Sequence, residues 1–153
     1  MEQNVAKRVP YGIQDFVQVI EQNCYYVDKT AYIPKLEDCP NNLFCIRPRR
    51  FGKSVFLSML HAYYDCRTKN KFQEWFGNLW IGKHPTPLQG RYQVMHLDFS
   101  QVGGSIENLE EKFNFYLGVQ LNGFIRDYLD FYSEKVQRSE ERRVGKECRS
   151  RWS

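Results

Sequence analysis

A Gly52-Lys53-Ser54 tripeptide stands between an apolar segment and an amphipathic one, and this order restricts the fold more than any other feature of the sequence. The run at residues 43–46 (Leu-Phe-Cys-Ile) has the length and character of a buried strand. From residue 55 to residue 64, apolar side chains recur at the spacing of one helix face. The sequence therefore predicts a strand, a loop and a helix in succession, the context in which Gly-Lys-Ser forms a phosphate-binding loop.

The residue types of this loop suit the triphosphate of a nucleotide. In such a loop, backbone N–H groups surround the phosphates, the lysine reaches the β- and γ-phosphates, and the serine hydroxyl binds Mg²⁺. We therefore predict ATP and Mg²⁺ as ligands, with Lys53 contacting phosphate and Ser54 binding the metal. The first glycine of the pattern G-x-x-x-x-G-K-[ST] is replaced by Arg47, which departs from that pattern. The candidate nucleotide-binding residues are Arg49, Arg50, Phe51, Gly52, Lys53, Ser54 and Val55, and no catalytic residue is assigned.

Apolar periodicity predicts further helices and one more strand. Short helices are expected over residues 13–20 and around Ile33, and residues 92–99 predict a second buried strand. Ser105 is the predicted cap of a long helix that extends to Tyr128. An aromatic stripe at helical spacing is expected to face the core and consists of Phe72, Trp75, Phe76, Leu79 and Trp80. The predicted fold class is α/β, a partial and truncated P-loop NTPase with a parallel sheet flanked by helices.

Composition places the chain among globular proteins. Hydrophobic residues make up 42% of the sequence and the net charge is only +4, so the strong basic balance of many nucleic-acid-binding domains is missing. The five cysteines are an odd number without a C-x-x-C pair, which predicts reduced thiols and no zinc site. No run approaches the roughly 20 apolar residues of a membrane span. We therefore expect a cytoplasmic protein without a membrane partner.

The carboxyl-terminal residues differ in character from the rest of the sequence. Residues 139–153 carry half of the net charge and show almost no apolar periodicity. A charge run of this kind is usually a solvated segment. We therefore predict two regions: the amino-terminal part of a P-loop domain at 1–138, and a charged tail at 139–153 that is disordered or foreign to the natural protein.

Four strings of the sequence carry a resemblance to a known family. They lie at residues 10–16 (Pro-Tyr-Gly-Ile-Gln-Asp-Phe), 26–30 (Tyr-Val-Asp-Lys-Thr), 46–54 (Ile-Arg-Pro-Arg-Arg-Phe-Gly-Lys-Ser) and 57–60 (Leu-Ser-Met-Leu). In this order they resemble the amino-terminal part of the AAA-ATPase-like domain family of bacteria and archaea. Arginine is usual in that family at the position of Arg47, so the missing glycine does not count against nucleotide binding.

The resemblance also implies a limit on catalysis. The acidic Walker B strand of that family, an apolar run ending in Asp-Glu, falls further along than this chain extends. We therefore expect ATP binding with negligible hydrolysis. Longer members often continue into a restriction-endonuclease-like nuclease domain, which implies a nucleic-acid partner through a domain that this chain lacks.

Other polar residues are weaker candidates for a catalytic role. Asp98 follows an apolar run, but its segment aligns with an earlier strand of the family, so Asp98 is not assigned as the Walker B carboxylate. His61, His84 and His96 belong to no recognisable nucleophile or metal constellation.

Two other functions stay open on the sequence. The basic loop that contains Arg47, Arg49, Arg50 and Lys53 could bind the phosphates of a nucleic acid while aromatic residues stack on its bases. The aromatic stripe could instead bind a protein partner, in a domain without catalytic activity.

Overall fold

Short helices form most of the described structure. The computed structural model describes residues 7–40, 42–46, 48, 50–100, 102–103 and 108–132, and the chain divides into two units, Met1–Val94 and Met95–Ser153. The helices of the first unit are α1 (Phe16–Glu21), α2 (Ile33–Glu37), α3 (Lys53–Tyr64), α4 (Phe72–Phe76) and α5 (Trp80–Lys83). Turns of 3-10 helix at Thr30–Tyr32 and Cys66–Lys71 precede α2 and α4. The second unit contains α6 (Leu109–Asp127).

Helix α1 begins at a capping aspartate and is anchored on α3. The Asp15 carboxylate accepts hydrogen bonds from the backbone N–H groups of Val17 (2.7 Å) and Gln18 (3.2 Å), which satisfies donors that have no partner within the helix. The backbone N–H of Phe16 donates to the Ser58 hydroxyl on α3 over 3.0 Å. The helix predicted over residues 13–20 is thus confirmed, with its first turn at Phe16.

An aromatic core fills the space between α1, α3 and α4. The Phe76 ring stacks on Phe16 at 4.9 Å and meets Tyr63 edge-on at 5.6 Å, arrangements that aromatic quadrupoles favour. The aromatic stripe is confirmed as part of the core at Trp75 and Phe76, whereas Trp80 is 41% exposed. The buried cluster consists of Phe16, Ile33, Met59, Ala62, Tyr63, Trp75, Phe76 and Ile81.

A polar network ties α2 to the core. The Tyr64 hydroxyl donates to the Glu37 carboxylate over 2.9 Å, and the Thr86 hydroxyl donates to the same oxygen over 2.7 Å. The backbone N–H of Thr86 donates to the Tyr63 hydroxyl over 2.8 Å. Burial, together with the hydrogen bond to Glu37, raises the pKa of Tyr64 above its ordinary value. The tyrosines at the end of α3 therefore hold the chain after α5 in place.

The predicted parallel sheet is wrong for the part of the chain that the structure describes. Its β-pairing consists of two isolated bridges, Arg8 with Cys24 and Asp65 with Tyr92. Residues 43–46 make no bridge, and the Phe44 and Ile46 side chains are 92% and 91% exposed. A strand satisfies its backbone N–H and C=O groups only through a neighbouring strand. Along the described backbone, the run at 43–46 has no such partner and the run at 92–99 has only the single bridge at Tyr92, so an α/β class is not supported.

The second unit is organised around α6. The Gln120 side chain accepts from the backbone N–H of Asp98 (2.7 Å) and donates to the carbonyl oxygen of the same residue (2.9 Å). The Phe99 ring stacks on Phe113 at 5.4 Å. Tyr128, which ends the helix, is 1% exposed. The long helix is thus confirmed, and the described part starts at Leu109 after Asn108.

Several predictions concern residues outside the described ranges. Arg47, Arg49 and Ser105 belong to this group, as does the tail at 139–153. The division of the chain at residue 138 stays a prediction. Among the described helices, none combines the length and apolarity that crossing a bilayer requires.

Candidate functional site

A cavity of about 510 Å³ opens beside the Gly-Lys-Ser loop in the first unit. One wall is the loop itself, with Phe51, Gly52 and Lys53. The volume falls within the roughly 300–1,000 Å³ of small-molecule sites, and most of the lining residues are apolar. Its aromatic side chains are Tyr32, Phe44, Phe51 and Phe56.

The loop turns sharply before α3, and its backbone conformation favours a glycine at residue 52. Arg50 and Gly52 both have left-handed backbone conformations, with φ angles of 67° and 72°. A Cβ atom at Gly52 would lie 3.3 Å from the Lys29 ammonium nitrogen, closer than most Cβ contacts allow. The positive φ angle disfavours other residues at position 52, whereas the Lys29 ammonium ends a flexible side chain that can move away from an added Cβ atom.

Helix α3 starts directly after this turn and presents unpaired backbone donors. Its first intrahelical hydrogen bond runs from the Phe56 N–H to the Gly52 carbonyl oxygen over 3.0 Å. The N–H groups of Lys53, Ser54 and Val55 precede that bond and have no partner within the helix. They lie at the positive end of the helix dipole of a twelve-residue helix. This end of α3 favours a negatively charged group.

The predicted nucleotide-binding residues occupy different parts of the site. Phe51, Gly52 and Lys53 line the 510 Å³ cavity together. Val55 lines a second cavity of about 170 Å³, which Gly52 also borders. Ser54 is exposed in the first turn of α3 and borders neither cavity. Arg50 is exposed in the turn, and Arg49 lies outside the described residues.

Asp28 also lines this cavity, and together with Thr30 it caps α5. The Asp28 carboxylate accepts from the Thr30 N–H (2.8 Å), the Thr30 hydroxyl (2.6 Å) and the Trp80 N–H (2.8 Å). The Thr30 hydroxyl oxygen in turn accepts from the Ile81 N–H over 3.2 Å, and Thr30 is fully buried. Two of these hydrogen bonds, from the Trp80 and Ile81 N–H groups, therefore fix residues 28–30 to the start of α5, and the other two join Thr30 to Asp28.

Lys29 lies between these two anchors and faces the loop. Its side chain is half-buried and borders both cavities, as does Gly52. Sequence reasoning missed Lys29 as a site residue. The signal that could have identified Lys29 was the string at residues 26–30, which carries part of the family resemblance. None of its residues was assigned to the site from the sequence.

Tyr26 shapes the smaller cavity from the same segment. Its ring packs edge-on against Phe16 at 5.2 Å, so it joins the cavity wall to the core. Burial, and to a lesser extent the nearby Asp28 carboxylate, raise the pKa of Tyr26 to about 12. The hydroxyl therefore stays protonated at neutral pH.

His61, His84 and Asp98 have local structural partners. His61 Nε2 lies 3.6 Å from a carboxylate oxygen of the buried Asp65, and His84 stacks on Trp80 at 4.5 Å. The Asp98 carboxylate accepts from the Ser100 N–H over 2.8 Å, and this bond is the main reason that its pKa falls below the ordinary value. Over the described ranges, no three His, Cys, Asp or Glu side chains converge on a possible metal position. None of these residues gains a catalytic assignment.

Comparisons with known proteins agree with the four strings in the sequence. The model of the family described as "Predicted AAA-ATPase" matches residues 10–150. An uncharacterised protein from the vnfD 5′ region of Azotobacter chroococcum mcd 1 is 47% identical over 55 residues, which is 35% of this chain and 11% of that protein. The match thus spans about one-ninth of the relative's length. No solved structure matches the chain. Because the family model covers most of the sequence, the chain belongs to the predicted AAA-ATPase family.

Proposed function

We propose that this chain binds ATP together with Mg²⁺ at the loop Gly52-Lys53-Ser54. Membership of a predicted AAA-ATPase family indicates a capability for nucleotide binding. One observation supports the location of the site above all others: the start of α3, with Lys53 beside it, borders a cavity large enough for a nucleotide.

The triphosphate is bound by the loop and the first turn of α3. The unpaired N–H groups of residues 53–55 donate to phosphate oxygens, and the helix dipole stabilises their negative charge. The Lys53 ammonium is exposed in the cavity wall and forms charge-assisted hydrogen bonds to the outer phosphates. The close approach of phosphate to backbone gives a functional reason for the absence of a side chain at Gly52.

Magnesium enters this site with the nucleotide. Mg²⁺ is usually held by one or two protein ligands together with substrate phosphates and water. The exposed Ser54 hydroxyl at the start of α3 offers one such oxygen, and the triphosphate and water supply the rest. A single protein oxygen, that of Ser54, therefore suits a metal ion that arrives bound to the nucleotide better than a free metal ion.

The base lies against the aromatic side of the cavity. Tyr32, Phe44 and Phe56 line that side, and Phe44 is 92% exposed. Aromatic rings stack on nucleobases with a free energy of about 1–3 kcal/mol per base. The apolar segment at 43–46 thus has a ligand-binding role in this proposal.

Hydrolysis is expected to be negligible. Phosphoryl transfer to water requires a group that orients the attacking water near the metal. Among the described residues, Asp28 is the one acidic side chain that lines the cavity, and both of its oxygens accept hydrogen bonds from Thr30 and Trp80. Asp28 therefore caps α5 and is not positioned to activate water.

The cytoplasmic location expected from the sequence remains part of this proposal.

Equilibrium binding of fluorescent ATP to the purified chain, with and without Mg²⁺, tests the proposal. Replacing Lys53 with alanine removes charged hydrogen bonds worth about 1.5–3 kcal/mol, so we expect Lys53→Ala to weaken ATP binding at least about tenfold. Lys83→Ala, which removes an exposed lysine at the end of α5, is the matched control and should bind as the wild type does.

Two results would contradict this function. Equal dissociation constants for the wild type and Lys53→Ala would show that ATP, if it binds, does so elsewhere. Salt-sensitive binding of single-stranded nucleic acid, unaffected by ATP, would instead favour a nucleic-acid-binding module that uses the basic loop.

A further inference from the structure

The Lys29 ammonium reaches the phosphate-binding loop from a different part of the chain. Its nitrogen lies 3.3 Å from the point where a Cβ atom of Gly52 would stand. Lys29 also lines the 510 Å³ cavity together with Lys53. Two ammonium groups, 24 positions apart in the sequence, thus border the same cavity next to one glycine.

The backbone on both sides of Lys29 is fixed, so this approach is built into the fold. Asp28 and Thr30 bind the first two N–H groups of α5, and Thr30 is fully buried. The Lys29 backbone between them has φ −114° and ψ 6°. The backbone that carries the Lys29 side chain therefore needs no rearrangement when a ligand binds.

The charge around Lys29 is uncompensated within the described ranges. No carboxylate there forms an ion pair with Lys29. Its sequence neighbour Asp28 is the nearest acidic residue along the wall, but both Asp28 oxygens accept hydrogen bonds from Thr30 and Trp80. An anion bound in the cavity would therefore find a positive charge that is not already neutralised by an ion pair.

We propose that Lys29 is a second phosphate-binding residue of this site. The inference rests on the proposed ATP-binding function and extends it to the string at 26–30. An ammonium group carries three hydrogen-bond donors and binds phosphate as a point charge. Lys29 and Lys53 hold the polyphosphate chain from two sides, and Gly52 between them leaves room for it. Asp28 and Thr30 act as positioning residues for Lys29.

Isothermal titration of the full chain with inorganic tripolyphosphate, Mg-ATP and adenosine tests this role. We expect Lys29→Ala to weaken both phosphate ligands by about tenfold, the usual effect of losing one charged hydrogen bond. Lys29→Gln keeps most of the side-chain length and should weaken them similarly, while Lys29→Arg retains most of the affinity. Adenosine binding should stay unchanged in all three variants, because adenosine carries no phosphate.

The outcomes separate this inference from the function on which it rests. If Mg-ATP binding depends on Lys53 but is unchanged in Lys29→Ala and Lys29→Gln, the role of Lys29 is overturned and the ATP site stands. If the wild-type chain binds neither tripolyphosphate nor Mg-ATP, both proposals fall. If Lys29→Ala loses its helical circular dichroism, the variant is unfolded and Lys29→Gln is used alone. Wild-type affinity of Lys29→Gln for tripolyphosphate and Mg-ATP would then overturn the proposal.

Discussion

The aromatic core of the first unit and the apolar segment at 43–46 contain similar residues in opposite environments. Phe76 in the core is fully buried, whereas Phe44 is 92% exposed. Helix α4 satisfies its backbone locally, so its side chains can be buried by neighbouring helices. An extended segment needs the backbone of another strand before its side chains can be covered. Apolar character alone therefore predicts burial poorly for a segment that lies outside the helices and has no strand partner.

The largest expected difference between these regions is in stability. We predict that Phe76→Ala lowers the free energy of unfolding by about 3–5 kcal/mol, because it leaves a cavity between Phe16 and Tyr63. Phe44→Ala should change it by less than about 0.5 kcal/mol, as exposed substitutions usually do. Urea unfolding followed by circular dichroism measures both. Equal losses in the two variants would show that the 43–46 segment is buried in solution.

A smaller effect is expected at Asp28, which lines the same cavity as residues 43–46 and binds the first N–H group of α5. Asp28→Ala removes the cap of α5 and should lower the free energy of unfolding by about 1 kcal/mol. The same change frees Lys29 to move away from the loop, so ATP affinity should fall as well. Asp38→Ala, at the exposed end of α2, is the control and should change neither quantity. Thermal melts and ATP titrations of both variants measure the two quantities. A loss of stability without a loss of ATP affinity would show that Asp28 caps α5 but does not position Lys29 for ATP binding.

A last effect, confined to alkaline solution, is a loss of stability through Tyr26. Its pKa is raised from 10.0 to about 12 in the folded protein, chiefly by burial. Because the pKa is higher in the folded protein, the stability that protonated Tyr26 contributes to the folded state is complete below pH 10. This stability is lost as the pH rises towards 12. Tyr26→Phe should remove this pH dependence, although Tyr64, whose pKa is also raised, will contribute its own. Unfolding free energies measured across that range for the wild type and Tyr26→Phe test the assignment, which identical slopes would contradict.

The helices could be predicted from the sequence because their signals are local. Asp15 caps α1, and the spacing of apolar residues marks α3 and α6 correctly. The strands could not be predicted, because a strand depends on a partner that periodicity does not reveal. The apolar run at 43–46 satisfied every local criterion for a buried strand and has no bridge.

The candidate site also combines residues that are adjacent in the sequence with one that is brought there by contacts between distant segments. Gly52 and Lys53 were identified because the tripeptide and the following helix are adjacent in the sequence. Lys29 was missed because its position depends on contacts between residues 28–30 and α5, about 50 residues away in the chain. A charged residue held by distant capping bonds leaves no spacing pattern in the sequence.

The central claim is that one triphosphate site lies between Gly52, Lys53 and Lys29. Its most direct test uses an acyl-phosphate derivative of ATP, which transfers its acyl group to lysines beside the terminal phosphate, followed by mass spectrometry of the digested chain. The account predicts labelling of Lys53 and Lys29 that excess Mg-ATP suppresses, with little label on Lys83. Labelling spread evenly over exposed lysines and insensitive to Mg-ATP would contradict it.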